Sequence, residues 1–301
     1  MSEVVYEEFL PRVFIYKNLL PSHKEITDHF RNLIEKNEAT TICQKYTEWS
    51  VFGKNIAFNW DFIERDDKDL TQYSEKDIAE INKEKSFLEE MMNAFYVATD
   101  HYLQAQGVEK EDDWVIMKPA MSIYEPTTEE NERGPGAHGP LAMDYHTDYE
   151  QLKRDMPGDK FVLTCTFYFN DDYEGGEVDF LANGESHLYK PEAGDVCVFP
   201  SGNPDYFSEG FTYYHGVGAV KGSRKFFTRT FYMKPYAGSP EWLANQEKYG
   251  EEVWAEMEKA RIFAGMRQHM DKMMEINIEK PISAEDLGID LDKECGLEEF
   301  K

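Results

Sequence analysis

Hydrophobic and polar positions divide the chain into three stretches. Up to about residue 112 the pattern is largely helical, with strand-like openings. Ile26, Phe30 and Ile34 follow Pro21-Ser22 at a spacing of four, which places them on one helix face. A second helical run extends from about Glu75 to Gln104. Its stripe of Phe87, Met91, Ala94 or Phe95, and Ala98 is expected to pack on a sheet. The segment from Phe9 to Tyr16, with Val13, Phe14 and Ile15, reads as an edge strand.

From Trp114 to Tyr232 the pattern changes. The runs VIMKPAMSIY, KFVLTCTFYF, EVDFL, HLYKP, DVCVFP, YYHGVGAV and RKFFTRTFYM are short, apolar or aromatic, and separated by Gly, Pro, Asn and Asp. Strands at this spacing, with no helical pattern between them, predict an antiparallel barrel or sandwich. A polar insert, 125–140, carries PG and GP turn signals and is either a cover over a site or a surface loop. After Pro235 and Pro240, the positions Trp242, Tyr249, Val253, Met257, Ala260 and Ala264 predict another helix. Ser283 is placed to cap a short terminal one. The expected organisation is N-terminal support at 1–112, a strand-rich core at 113–235 and a C-terminal helical extension at 236–301, integrated in one domain.

Composition narrows the function classes. The 301 residues include 59 acidic and 32 basic side chains, a formal net charge of -27. Such a surface repels phosphates and anionic headgroups, so neither a nucleic acid nor a membrane is an expected partner. No stretch approaches the roughly 20 apolar residues of a membrane span. Cys43, Cys165, Cys197 and Cys295 are scattered without a CxxC pair, and no secretory pattern opens the chain, so a cytoplasmic protein is expected.

The candidate chemistry begins in LAMDYHTDYE. In an extended segment, His146 and Asp148 point to the same side, and His215 in YYHGVGAV can supply a third ligand from another strand. Two imidazoles and one carboxylate form the facial triad of non-haem iron(II) sites, with positions left open. A surface His–Asp pair would read the same way, and zinc hydrolysis also uses mixed ligation. Arg224 lies nine residues beyond His215 and shares a strand face with Phe226, Thr228, Thr230 and Tyr232. If that face is turned toward His215, the guanidinium can hold a carboxylate with help from Thr228, leaving Arg229 on the opposite face. Tyr168 shares a face with Thr164 and Thr166.

Taken together, HTD at 146–148, FYFNDDYEGGEVDF, KPEAGDVCVFPSG and HGVGAVKGSR resemble, in order and spacing, the prolyl-4-hydroxylase-like branch of the iron(II)/2-oxoglutarate dioxygenases. The resemblance spans about Ile116 to Tyr232. It implies a mainly β core with flanking helices, built as a double-stranded β-helix or jelly roll. It implies Fe(II) on His146, Asp148 and His215, with 2-oxoglutarate and O2 as cosubstrates and ascorbate as an optional addition. It also places Tyr168, Arg224 and Thr228 at the cosubstrate. Tyr124 corresponds to a tyrosine on the strand before HxD, although the longer insert leaves a packing role equally open. The implied reaction is hydroxylation of an unactivated C–H bond, since Asp148 fills the position that related halogenases leave to halide. The expected substrate is a peptidyl proline, with a small molecule or free amino acid as the alternative; a noncatalytic metal-binding jelly roll is a third reading. Oligomeric state is left open.

Overall fold

Alternation at the N-terminus produces a hairpin: β1 (Tyr6–Leu10) and β2 (Val13–Tyr16) pair antiparallel around Arg12, whose φ is +64°. The computed structural model describes residues 4–50, 53–64, 70–150, 158–182, 184–207 and 213–260. Helix α1 (His23–Lys36) follows and buries Ile26, Phe30 and Leu33. Strands β3 (Thr47–Ser50) and β4 (Gly53–Ile56) and the short helix α2 (Trp60–Glu64) lead to α3 (Glu75–Gln106). Ser74 and Asp77 satisfy each other's backbone N–H at the start of α3, and Gly107, at φ +64°, ends it.

The strand-rich stretch then contributes β5 (Val115–Ile116), β6 (Met121–Tyr124), β7 (Pro135–Gly136), β8 (Gly139–His146), β9 (Lys160–Tyr168), β10 (Glu174–Gly175) and β11 (Val178–Ala182). It continues through β12 (Glu185–Tyr189), β13 (Val196–Pro200), β14 (Tyr214–Gly218), β15 (Val220–Lys221) and β16 (Lys225–Lys234). Nine strands form one sheet in the order β1-β2-β13-β9-β16-β6-β4-β3, with β5 also on β16; five form a second, β12-β11-β14-β8-β7. Every pairing is antiparallel, as the short connections require. The result is a mixed α/β fold of antiparallel sheets with flanking helices.

The period-two alternation of the large sheet divides its side chains between two apolar clusters. One face meets the helices through Phe30, Phe95, Cys165, Phe167, Phe226 and Tyr232. The other packs against the small sheet through Ile15, Tyr124, Met143, Tyr168, Phe180 and Phe227. Burying a side chain such as Phe180 contributes about 1.5–3 kcal/mol, so reversing the parity of any central strand would be costly.

Three expectations change. The Phe9–Tyr16 segment turns within itself, and β2 lies inside the sheet between β1 and β13; only β1 is the edge. The 125–140 insert folds onto the core, with β7 paired to β8 and Thr127 exchanging hydrogen bonds with Val220. Helix α4 (Pro240–Tyr249) starts at a Ser239 cap and stops at Gly250, φ +84°, before helix resumes at 251–260. Ala264, Ser283, the terminal helix and Cys295 lie outside the described residues. Among the described residues, no helix is long and apolar enough to cross a membrane.

Candidate metal centre

Strand pairing brings the proposed ligands together. His146 ends β8 and lies opposite His215 of β14, so their rings stand side by side with centroids 4.5 Å apart. Asp148 is two residues further along the chain. The next residue is anchored by Tyr149 N–H donating to Ser201 O at 2.8 Å. At Gly202 (φ +86°) a Cβ would fall 2.8 Å from the Thr147 Cβ, so the chain passes closely under the HTD turn. One ligand atom each from His146, Asp148 and His215 fits within a mutual distance of 4.8 Å.

The hydrogen bonds around these three groups leave the converging atoms free. Nδ1 of His146 faces Asp144 O at 2.8 Å, and Nδ1 of His215 faces Tyr213 O at 3.0 Å. A proton on each Nδ1 satisfies both carbonyls and leaves each Nε2 with a lone pair. Asp148 Oδ2 accepts from Thr164 Oγ1 at 2.8 Å, and Thr164 is held in turn by Ser201 at 2.9 Å. His146 Nε2 and Asp148 Oδ1 are buried without a hydrogen-bond partner, 3.6 Å from each other; His215 Nε2 is 3.9 Å from Asp148 Oδ2. A buried polar atom left unsatisfied costs about 1–3 kcal/mol. A divalent cation among the three would satisfy them together, and the N2O donor set suits iron(II) with open positions.

Electrostatics agree with ligand chemistry. Burial opposes ionisation of Asp148, but His146, His215 and Arg229 outweigh it and hold the carboxyl below the usual range. Burial, then the neighbouring His146, depresses His215 to about 4, which keeps the imidazole neutral and able to ligate.

The placement of Arg224 differs from expectation. Arg224, Phe226, Thr228 and Tyr232 do share a face, but it is the one turned to the helices. Arg224 Nε donates to Glu125 Oε2 at 2.8 Å, and Tyr46 bonds the same carboxylate. Thr228 donates to Ala120 O at 2.9 Å. Strand parity explains the reversal: Lys225 pairs with Tyr124 and Phe227 with Tyr168, so Lys225, Phe227 and Arg229 occupy the opposite, inner face. Arg229 Nη1 lies 3.7 Å from Asp148 Oδ1.

Lys225 and Thr164 were therefore the omissions. Lys225 is 1% exposed, and its ammonium donates to Gly176 O at 2.7 Å and lies over the Tyr168 and Tyr173 rings at 5.1 and 5.6 Å. The Gly175–Gly176 turn that supplies this carbonyl is packed so tightly that a Cβ on Gly175 would lie 2.1 Å from Ala219 O. Burial, then repulsion from Lys190, lowers Lys225 to about 7. A lysine inside the aromatic run KFF was the available signal. Tyr168 is buried on the inner face. Tyr124, also buried, donates to Met143 Sδ and stacks on Phe227 at 4.6 Å, and burial raises the hydroxyl pKa of both tyrosines. The inner face thus runs from Lys225 past Tyr168, Tyr124 and Phe227 to Arg229 and the three converging ligands.

Residues 137–233 match the 2OG-Fe(II) oxygenase superfamily. A PKHD-type hydroxylase from Psychrobacter sp. (strain PRwf-1) is 35% identical over 89 residues, 29% of this chain and 30% of that protein. The match thus spans under a third of the curated relative's length. Among solved structures, a viral collagen prolyl hydroxylase from Paramecium Bursaria Chlorella virus-1 aligns with TM-score 0.41 and 14% identity, covering 78% of this chain and 98% of that one. A rice dioxygenase for auxin oxidation aligns with TM-score 0.43 and 16% identity over 73% and 69%.

Proposed function

We propose that this chain, a member of the 2-oxoglutarate/Fe(II) oxygenase superfamily, binds Fe(II) through His146, Asp148 and His215 and hydroxylates an unactivated C–H bond with 2-oxoglutarate and O2. The observation that carries this reading is the set of buried, unsatisfied ligand atoms converging on one point. The two antiparallel sheets sharing one apolar cluster support a double-stranded β-helix as the scaffold. Free, buried Cys43, Cys165 and Cys197 are in keeping with a cytoplasmic setting.

When bound, iron supplies the oxygen chemistry, and the overall reaction balances as substrate, 2-oxoglutarate and O2 giving hydroxylated substrate, succinate and CO2. The protein positions and excludes. Asp144 O and Tyr213 O orient the imidazoles, and Thr164 holds one oxygen of Asp148 so that the other faces the site. Lys225 replaces Arg224 as the group assigned to the far carboxylate of 2-oxoglutarate. It is a buried cation reached along the inner face, with the Tyr168 ring beneath it. Tyr124 and Phe227, stacked on each other, lie in the apolar cluster of the inner face between the two ends.

The test is anaerobic titration of the full chain with Fe(II) and 2-oxoglutarate, followed by O2. The expected result is a visible charge-transfer band from the Fe(II)–keto acid chelate, then succinate formation coupled to a mass gain of one oxygen in the substrate. Activity that needs neither O2 nor 2-oxoglutarate would replace this reading with metal-dependent hydrolysis. Peptidyl proline and a small acid both fit the reaction.

A further inference from the structure

Resting on the oxygenase reading, with Lys225 at the far carboxylate of 2-oxoglutarate, we infer that Lys190 is a positioning residue for the cosubstrate. It pins the 173–176 turn, and a carbonyl of that turn aims the Lys225 ammonium.

Two ammonium groups grip this turn, one exposed and one buried. Lys190, which follows β12, donates through Nζ to Tyr173 O at 3.3 Å and to Gly175 O, and it lies 4.2 Å from the centre of the Tyr173 ring. Lys225 donates to the next carbonyl, Gly176 O, at 2.7 Å and lies 5.6 Å from the centre of the same ring. Together they take three carbonyls within four residues and share one aromatic side chain, itself only 5% exposed.

The backbone of the turn holds itself weakly. Its two residues of β10 pair with two of β15, and Gly176 N–H donates to Ala219 O at 2.9 Å. A two-stranded ladder this short is marginal alone. A Cβ on Gly176 would lie 2.8 Å from the Tyr173 ring, so ring and backbone are in direct contact and move together. Whatever fixes the ring and the Gly175 carbonyl therefore fixes Gly176 O. The Lys225 ammonium carries three donors on a flexible stem, and Gly176 O takes one of them. With that bond in place, the other two have a set direction for a carboxylate. Without it, the ammonium has to be ordered when the carboxylate arrives.

Charge separates this role from simple attraction or repulsion. Burial, then repulsion from Lys190, lowers Lys225 to about 7, and Glu177 opposes the shift. Tyr168, Tyr173 and Tyr124 also face Lys225, and burial raises their hydroxyl pKa values, so they stay neutral. Lys190 itself has Glu177, Asp171 and Glu174 around it. Acting only as a charge, Lys190 disfavours the ammonium form of Lys225, so its loss would help the anion bind above pH 7. Acting on the turn, its loss hurts binding even where Lys225 is fully protonated. The two roles have opposite signs.

The test uses the full chain, anaerobic, with Fe(II), and reads the 2-oxoglutarate Kd from the charge-transfer band one pH unit below and one above the Lys225 value of about 7. At the lower pH, Lys190→Met is expected to raise Kd ~5-fold, and Lys190→Arg, which keeps donors and a cation over the ring, to stay within about twofold. Between the two pH values the Kd of Lys190→Met should rise less than that of the unaltered chain, because Lys225 titrates higher. Mn(II) affinity without 2-oxoglutarate should be unchanged. Independently of any ligand, hydrogen exchange at the Gly176 amide should quicken ~10-fold in Lys190→Met and not in Lys190→Arg. Equal or tighter binding by Lys190→Met at the lower pH, an equal loss in Lys190→Arg, or unchanged Gly176 exchange would overturn the assignment. Failure of the oxygenase reading shows separately, as no band in the unaltered chain, and removes the cosubstrate role with it.

Discussion

Among the described residues two buried clusters offer metal-type ligands, and their hydrogen bonding separates them. His146, Asp148 and His215 hold their donor atoms 3.6–3.9 Å apart, with each imidazole fixed from behind by a carbonyl and two atoms left without a partner. His29, Cys43 and Glu84 also gather within 4.8 Å, between α1 and α3. There the imidazole Nε2 lies 2.8 Å from Glu84 Oε1, and Thr40 donates to the other carboxylate oxygen at 2.7 Å. The second cluster is complete as a proton-sharing network. The first leaves two buried ligand atoms without a hydrogen-bond partner. Residue type alone makes the two look alike; the state of their lone pairs distinguishes a site from a core polar group.

The largest effect that would sharpen this contrast is loss of the central carboxylate. Asp148→Ala removes a ligand, the acceptor for Thr164 and the negative charge opposite Arg229. Metal affinity is expected to fall by well over ~100-fold, beyond what losing an outer-sphere partner costs, measured by equilibrium dialysis against Mn(II) or Fe(II). Thermal stability of the metal-free chain should fall at neutral pH, because a carboxylate held below its usual range disappears and leaves Thr164 without its acceptor and Arg229 without its opposing charge. Metal retention by this variant would break the comparison outright.

Next in size is the cosubstrate end. Lys225→Met is expected to raise the 2-oxoglutarate Kd by ~10- to 100-fold, in line with 1.5–3 kcal/mol for a hydrogen bond to a charged group. Arg224→Met should change it by less than about twofold. The unaltered chain should also bind 2-oxoglutarate more weakly as pH rises above about 7, because the carboxylate needs the ammonium form and the lysine in the free protein is depressed to about 7. Lys225→Arg should flatten that dependence. Equal losses for Arg224→Met and Lys225→Met would restore the arginine assignment.

This pair of residues also shows how far the sequence could be read. Antiparallel strands, the flanking helices and His146, Asp148 and His215 were legible because turn chemistry, helical spacing and an i,i+2 pair are local signals. Which face of β16 looks inward was not, because Arg224, Phe226 and Thr228 alternate as regularly as Lys225, Phe227 and Arg229. Only pairing with β9 and β6 decides between them. A one-residue difference in parity puts Lys225 rather than Arg224 on the inner face and brings Arg229 beside Asp148. The hairpin made by the 125–140 insert was unreadable for a similar reason, since its anchor, Val220, lies far along the chain.

A smaller change is expected one bond further out. Thr164→Val keeps the shape of the side chain and removes the donor to Asp148 Oδ2. Metal affinity should fall by about tenfold, the lower end for an outer-sphere partner. Thr166→Val, one position along the same face, should leave it unchanged. Equal effects from the two would mean that packing along β9, rather than the hydrogen bond, orients the carboxylate.

The smallest expected effect on metal belongs to the second cluster and bears most directly on the contrast. In Glu84→Gln the amide can serve one of its two partners as the carboxylate did but turns an N–H toward the other. Unfolding free energy should drop by about 1–3 kcal/mol, since one buried partner loses its acceptor. Metal stoichiometry should stay at one per chain. Co(II) titration reads the two clusters apart, because only the second holds a cysteine: thiolate coordination by Cys43 would add an intense near-ultraviolet charge-transfer band that a His, His, Asp site cannot produce. Burial, then Glu84, raises the Cys43 thiol pKa, so the thiol keeps its proton and the band should be absent. A Co(II)–thiolate band that Cys43→Ser removes would show the proton-sharing network yielding to a metal, and a filled set of hydrogen bonds would no longer distinguish a core network from a site.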